Sequence, residues 1–241
     1  ITNDSGTAGD FITNDQTLIF NGTAGAGDVV TVKLDGVTLG TATANGAGVW
    51  SYDYTGTTIA NGTYTLAAST TDIAGNTATA SQAITIDTNA PGQNGDGTAP
   101  AITAITNDSG TAGDFITNDQ TLIFNGTAGA GDVVTVKLDG VTLGTATANG
   151  AGVWSYDYTG TTIANGSYSL TASTTDIAGN TATATQAITI DTNAPGQNGD
   201  GTAPAITAIT NDSGTAGDFI TNDQTLIFNG TAGAGDVVTV K

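Results

Sequence analysis

Along the whole chain, short stretches in which every second residue is apolar alternate with clusters of Gly, Asn, Asp and Thr that recur roughly every 8 to 12 residues. A period of two predicts β-strands with one face on a core, and no stretch keeps the spacing of an amphipathic helix. In the first copy of the pattern, strands are predicted at Gln16–Phe20, Val29–Leu34, Val37–Ala42, Val49–Tyr54, Tyr64–Ser69 and Thr79–Ile86; the opening strand is complete only at Ala101–Ile105. Alternation turns Val30, Val32 and Leu34 to one side, as it does Trp50, Tyr52 and Tyr54, then Tyr64, Leu66 and Ala68, then Ile84 and Ile86. About seven such strands make a β-sandwich, so the expected fold is all-β.

The pattern also copies itself. ITNDSGTAGDFITNDQTLIFNGTAGAGDVVTVK begins at Ile1, Ile105 and Ile209, a period of 104 residues, long enough to bury a core of its own. The unit opens most naturally at Thr98. Residues 1–97 are then expected to be a sandwich without its opening strand, 98–201 a complete repeat and 202–241 a partial third, the whole being a piece of a longer array. The first two copies differ at Thr63/Ser167, Thr65/Ser169, Ala67/Thr171 and Ser81/Thr185, all on predicted outward faces. A register slip of one residue would place those hydroxyl exchanges in the core, where they are costly. Trp50 and Trp154 are predicted core anchors, and Lys33 an outward-facing strand residue. Repetition of a folded unit points to length or multiplicity rather than to one catalytic centre.

Net charge is −19, from 22 acidic residues against three lysines, and every acid is Asp; Glu, Arg, His, Cys and Met do not occur. Such a chain has no basic stripe to neutralise phosphates, so nucleic acid is not an expected partner. Without Cys there is no disulfide brace, and without His or Cys there is no nucleophile relay or zinc site. No run of 18 apolar residues, signal peptide or lipidation motif is present, so no membrane insertion is expected. The choice of Asp over Glu suits tight turns and compact oxygen cages for Ca2+ alike.

The acids are clustered. The loop NDSGTAGDFITND holds Asp4, Asp10 and Asp15, repeated as Asp108, Asp114, Asp119 and as Asp212, Asp218, Asp223. Either these side chains splay into water as turn formers, or a divalent cation gathers them. Two carboxylates about 4 Å apart repel by about 4 kcal/mol at an effective dielectric near 20, a sign that a cation reverses. The joint DTNAPGQNGDGTAP adds Asp87 and Asp96, repeated as Asp191 and Asp200, and TTDIAGNT adds Asp72 and Asp176. In a seven-strand sandwich the long loop and the exit at Asp87 share one end, whereas Asp72, Asn76 and Asp28 lie at the other. Head-to-tail stacking is therefore expected to bring Asp108, Asp114, Asp119 and Asp191 near Asp200 and the lower loops of a following unit. NGDGT lacks the length and terminal Glu of an EF-hand, and GTAGAGD joins strand to strand, which disfavours a phosphate cradle. The NGT and NGS triplets are expected as hairpin turns rather than glycosylation sites.

The pieces ITNDSGTAGDFITND, FNGTAGAGDVVTVKLDG, GAGVWSYDYTG, ANGTYTLAASTTDIAGN and AITIDTNAP, in this order, resemble the bacterial Ig-like extender repeats of giant RTX adhesins. The long, nearly undiverged period is most like the repeat regions of ice-binding adhesins of polar marine bacteria. The resemblance implies tandem Ig-like β-sandwich domains of Greek-key type joined end to end, with Ca2+ in loops and at junctions. It further implies a monomeric rod on the bacterial cell surface, partnered by neighbouring repeats of its own chain, with any distal ligand bound by other domains. RTX nonapeptides are absent, so secretion and ice binding are not expected of this region. Two functional readings stay open: a non-enzymatic spacer rigidified by Ca2+, and a multivalent glycan- or cell-binding module. Against the second, Phe11 is the one loop aromatic, and it can serve as a buried staple.

Overall fold

A computed structural model describes all 241 residues. It is all-β and falls into two compact units: Ile1–Thr106 with Leu122–Tyr158 and Tyr168–Ile188, and Asn107–Thr121 with Thr159–Ser167 and Thr189–Lys241.

In the first unit, strands β1 (Ile12–Thr13), β2 (Ile19–Thr23), β3 (Val29–Leu34), β4 (Val37–Thr43), β5 (Val49–Asp53), β6 (Gly62–Thr71) and β7 (Thr77–Ile86) form one sandwich. One sheet runs β1-β7-β6-β3-β4 and faces the pair β2-β5. The next repeat contributes β8 (Ala101–Ile105), β10 (Ile123–Thr127) and β13 (Val153–Asp157) as a three-stranded sheet. Opposite it, β11 (Val133–Leu138) pairs with β12 (Val141–Thr147) and with β14 (Gly166–Thr175), and β15 (Thr181–Ile190) runs beside β14. Each pair of sheets closes over the apolar face that alternation assigned. Val30, Val32, Leu34, Trp50, Leu66, Ile84 and Ile86 are buried, as are Val134, Val136, Trp154, Leu170 and Ile188. None of the four exchanged positions is buried in either copy. Asp35 and Gly36, at φ 47° and 79°, make the two-residue turn between β3 and β4, whose left-handed pair matches the twist of the strands.

The second unit holds β9 (Ile116–Thr117), parallel to the last two residues of β15 through Thr189↔Ile116 and Ile190↔Thr117. It also holds β16 (Ala205–Ile209) paired with β17 (Phe228–Thr231). That last pair covers little: Ile206, Ile227 and Phe228 are 65%, 63% and 55% exposed. No helix of the structure is long and apolar enough to cross a membrane.

Three local expectations give way. The strand expected at Gln16–Phe20 lies at Ile19–Thr23, because Asn21-Gly22 is strand rather than turn: Gly22 lies under the Trp50 ring, where a Cβ would come within 2.5 Å of it. Asn61-Gly62 likewise opens β6, with the Asn61 side chain accepting from the Thr88 hydroxyl at 2.9 Å. Finally, a short strand, β1, sits inside the expected loop. Its neighbour Phe11 takes a left-handed backbone, φ 63°, and packs against the core as a staple.

Candidate metal centre

The long loop is tied together by its own aspartates. Asp4 Oδ2 accepts from Gly9 N–H at 2.7 Å, and the copies do the same: Asp108 from Gly113 at 2.6 Å and Asp212 from Gly217 at 2.7 Å. The other oxygen, Oδ1, of Asp4, Asp108 and Asp212 is buried without a hydrogen-bond partner in all three copies. Asp10, Asp114 and Asp218 each accept from the N–H two residues on at 2.9 Å, and Asp10 Oδ2 is again buried and unpartnered. A buried carboxylate oxygen with no donor costs free energy unless a cation supplies the missing contact.

Asp15 and its copies are different. Asp15 accepts from Asn3 Nδ2 and from Thr17 N and Oγ1, each at 2.8 Å. Burial alone raises its pKa, but these bonds from Asn3 and Thr17 outweigh burial and hold it below the usual range. Asp119 and Asp223 are lowered by the same bonds, led by those from Asn107 and Asn211 at 2.6 Å. These three acids have their partners within the loop.

One group of three acids converges, and it lies in the first unit. Asp87 follows β7, Asp96 sits in the joint and Asp176 follows β14, and one carboxylate oxygen of each lies within 4.8 Å of the other two. Local bonds fix each. Asp87 N–H donates to Thr13 O at 2.9 Å, and Asp87 Oδ1 accepts from Asn89 N–H at 3.0 Å. Asp96 N–H donates to Gln93 O at 2.8 Å, closing a tight turn. Asp176 Oδ1 and Oδ2 accept from the Asn180 backbone and side chain at 2.8 and 2.9 Å, and Asn180 Nδ2 also donates to Asp87 O at 2.8 Å. The loop around it reaches the first repeat as well: Ser5 Oγ donates to Ala178 O at 2.5 Å, and a Cβ on Gly6 would fall 1.9 Å from Ile177 O.

Burial, then the charges of Asp87, Asp176 and Asp132, push the Asp96 pKa up, and Asp96 Oδ2 is buried without a partner. The residues suit a hard divalent cation. Oxygen ligands at about 2.4 Å on opposite sides of one ion stand about 4.8 Å apart, and three carboxylates can supply up to about six of the 6 to 8 oxygens that Ca2+ takes.

Of the fifteen aspartates singled out in the sequence, then, the structure gathers Asp87, Asp96 and Asp176. It keeps Asp4, Asp10 and Asp15, and their copies, in their own loops. Asp191 and Asp200 repeat Asp87 and Asp96, but the 241 residues hold no third counterpart of Asp176 to join them. Asp72, the first-repeat counterpart of Asp176, is exposed and bonded to Asn76 at 2.8 and 2.9 Å, which lowers its pKa. Asn180 and Asp132 were not named as site residues. Their first-copy equivalents are Asn76 and Asp28.

No curated protein matches the chain. Among solved structures, it is 28% identical to one described as a Ca2+-stabilized adhesin with which an Antarctic bacterium reaches out and binds ice, covering 76% of this chain and 47% of that one at a TM-score of 0.43. It is 24% identical to a structure from a 1.5-MDa bacterial ice-binding adhesin, covering 77% and 62% at a TM-score of 0.42. A tetra-tandem repeat from the extending region of a large adhesion protein is 20% identical, covering 92% and 61% at a TM-score of 0.34. The chain thus spans 47% and 62% of the lengths of the first two. The model of the bacterial Ig-like domain matches residues 1–88 and again 97–192, each stretch ending just past the last long strand of a sandwich, and the chain belongs to that family.

Proposed function

We propose that this chain is a non-enzymatic spacer of a bacterial cell-surface adhesin, in which Ca2+ bound at the junction of successive Ig-like repeats stiffens an array that carries a distal adhesive domain away from the cell. Residues 1–97, 98–201 and 202–241 are the successive units, the third partial. The observation that carries this reading is the Asp87, Asp96 and Asp176 cluster, which takes one acid from the end of one repeat, one from the joint and one from the following repeat. An ion held by all three restrains every element they belong to, so the joint loses the freedom that Gly92, Gly95 and Gly97 would otherwise give it. At free Ca2+ 100 times its dissociation constant, one site adds about 2.7 kcal/mol. The buried oxygens of Asp4, Asp10, Asp108 and Asp212 are candidates for further sites within the loops.

Small-angle scattering and calorimetry on the 241-residue chain in Ca2+ and in chelator test the reading. Ca2+ is expected to lengthen and stiffen the particle and raise the melting temperature, and Asp96→Asn with Asp176→Asn to remove most of the stiffening. Identical profiles with and without the ion would dispose of the idea.

A further inference from the structure

In each repeat one broad face carries no acid, although the chain holds 22 aspartates. Across β7, β6, β3 and β4 the register sets outward side chains in rows: Thr79, Ser69, Thr31 and Thr41 make one, and Ser81, Ala67, Lys33 and Thr38 the next. Val30, Val32 and Leu66, which point the other way on the same strands, are buried, so these rows face out. Every Asp of the first repeat lies in a loop or turn except Asp53, which ends β5 in the facing sheet. Lys33, the one lysine of the repeat, stands beside Ala67 and Thr38 rather than beside an acid.

The second repeat, with chain before and after it, builds the same face around Lys137, and there Thr181, Thr183 and Thr185 of β15 are exposed. All four positions at which the two repeats differ fall on this face, and none of the exchanges brings a charge.

Two copies of this chain set carboxylate against carboxylate wherever their loops and turns touch, and like charges brought together are costly. The acid-free face is where they meet without that cost. Some of its hydroxyls already bond one another, Thr71 with Thr77 at 3.0 Å and Thr175 with Thr181 at 2.8 Å, so these groups keep a partner when water leaves. We propose that this face takes the same face of a second copy of the chain, so that arrays lie side by side. Four strands about 4.8 Å apart, each giving about seven residues at about 3.3 Å, make a face of about 450 Å2. One pair of faces thus removes about 900 Å2 from water, short of the roughly 1,200 Å2 at which stable interfaces begin, and engaging both repeats passes it. The association is therefore weak for each repeat and grows with their number. It goes beyond the spacer reading and needs no ion.

Sedimentation of the 241-residue chain over a wide concentration range tests this, in chelator with about 1 M NaCl to screen the net charge of −19. The mass is expected to rise with concentration. Thr79→Asp with Thr183→Asp, which sets a carboxylate on each face, is expected to hold the chain at monomer mass, because salt cannot reach a charge inside a dry contact. Ser51→Asp with Ser155→Asp adds the same charge at exposed positions of β5 and β13, in the other sheets, and should associate as the parent does. An amine-reactive cross-linker applied to the parent is expected to join Lys33 or Lys137 of one copy to Lys33 or Lys137 of the other. A parent monomeric at every concentration overturns the proposal. So does association that both variants lose alike or keep alike, or a covalent dimer joined only through Ile1 or Lys241. Because no ion takes part, each of these failures leaves the calcium reading standing.

Discussion

At the scale of single residues, Asp96 decides how the junction responds to acid. Its pKa stands above the ordinary 3.8 because burial and neighbouring carboxylates disfavour its charge. In chelator the folded state therefore binds the proton more tightly than the unfolded one. Stability is highest below the unfolded value and is lost as pH rises through the raised folded value. A Ca2+ ion bound as proposed would reverse this, because it would hold Asp96 ionised and acid would have to expel it. As pH falls from 7 toward the ordinary carboxylate value, the chelated parent is expected to gain more in melting temperature than Asp96→Asn does, while the Ca2+-loaded parent loses. A gain shared equally by the variant would trace the effect to the general net charge instead. Asp15, Asp119 and Asp223 act oppositely to the chelated Asp96, since hydrogen bonds hold their pKa values down. Their contribution is present above the unfolded value and fades as pH falls through the folded one.

At the scale of elements, Gly126 shows what periodicity can and cannot reveal. Its missing side chain admits both the Trp154 ring and Ala101 O. Gly126→Ala is expected to prise β8 off β10 and cost at least about 1 to 3 kcal/mol, read as a lower urea midpoint. Gly150→Ala, in an open turn with nothing within 4 Å, is the control and should change little. Alternation was enough to place Val29–Leu34 to the residue, because every second side chain of it is buried; Ala101–Ile105 was placed to the residue as well, although only Ile105 of it is buried. Alternation stopped short of Asn21-Gly22 because that dipeptide is a turn signal by local propensity, and only the Trp50 ring makes it strand. Strand β1 was invisible for another reason: two residues cannot display a period, and its pairing to β7 is parallel and distant in sequence. The candidate site was legible to the same degree. Chain order placed Asp87, Asp96 and Asp176 at facing ends. That Asp15 would spend its oxygens on Asn3 and Thr17 depended on loop geometry that spacing does not encode.

At the scale of the whole molecule, two electrostatic effects must be told apart. A chain of net charge −19 repels itself along its length, and any salt relieves that over a Debye length of about 8 Å at 0.15 M. The junction acids form a short-range problem: three carboxylates within 4.8 Å, one oxygen of them buried, are closer than screening ions can separate. Sodium chloride should therefore weaken the general repulsion without organising the joint, whereas Ca2+ should do both. Held in chelator, the chain is expected to grow shorter and more flexible in scattering as NaCl rises toward about 1 M. Millimolar Ca2+ added at that same salt should restore the longer, stiffer profile, at roughly 30 to 45 Å for each repeat given strands of 8 to 10 residues. Mg2+ provides the finer discrimination, because it demands octahedral geometry near 2.1 Å and gives up its water reluctantly. At equal concentration it is expected to act like added salt, and a Mg2+ profile that matched the Ca2+ one would assign the stiffening to charge neutralisation rather than to a coordinated ion.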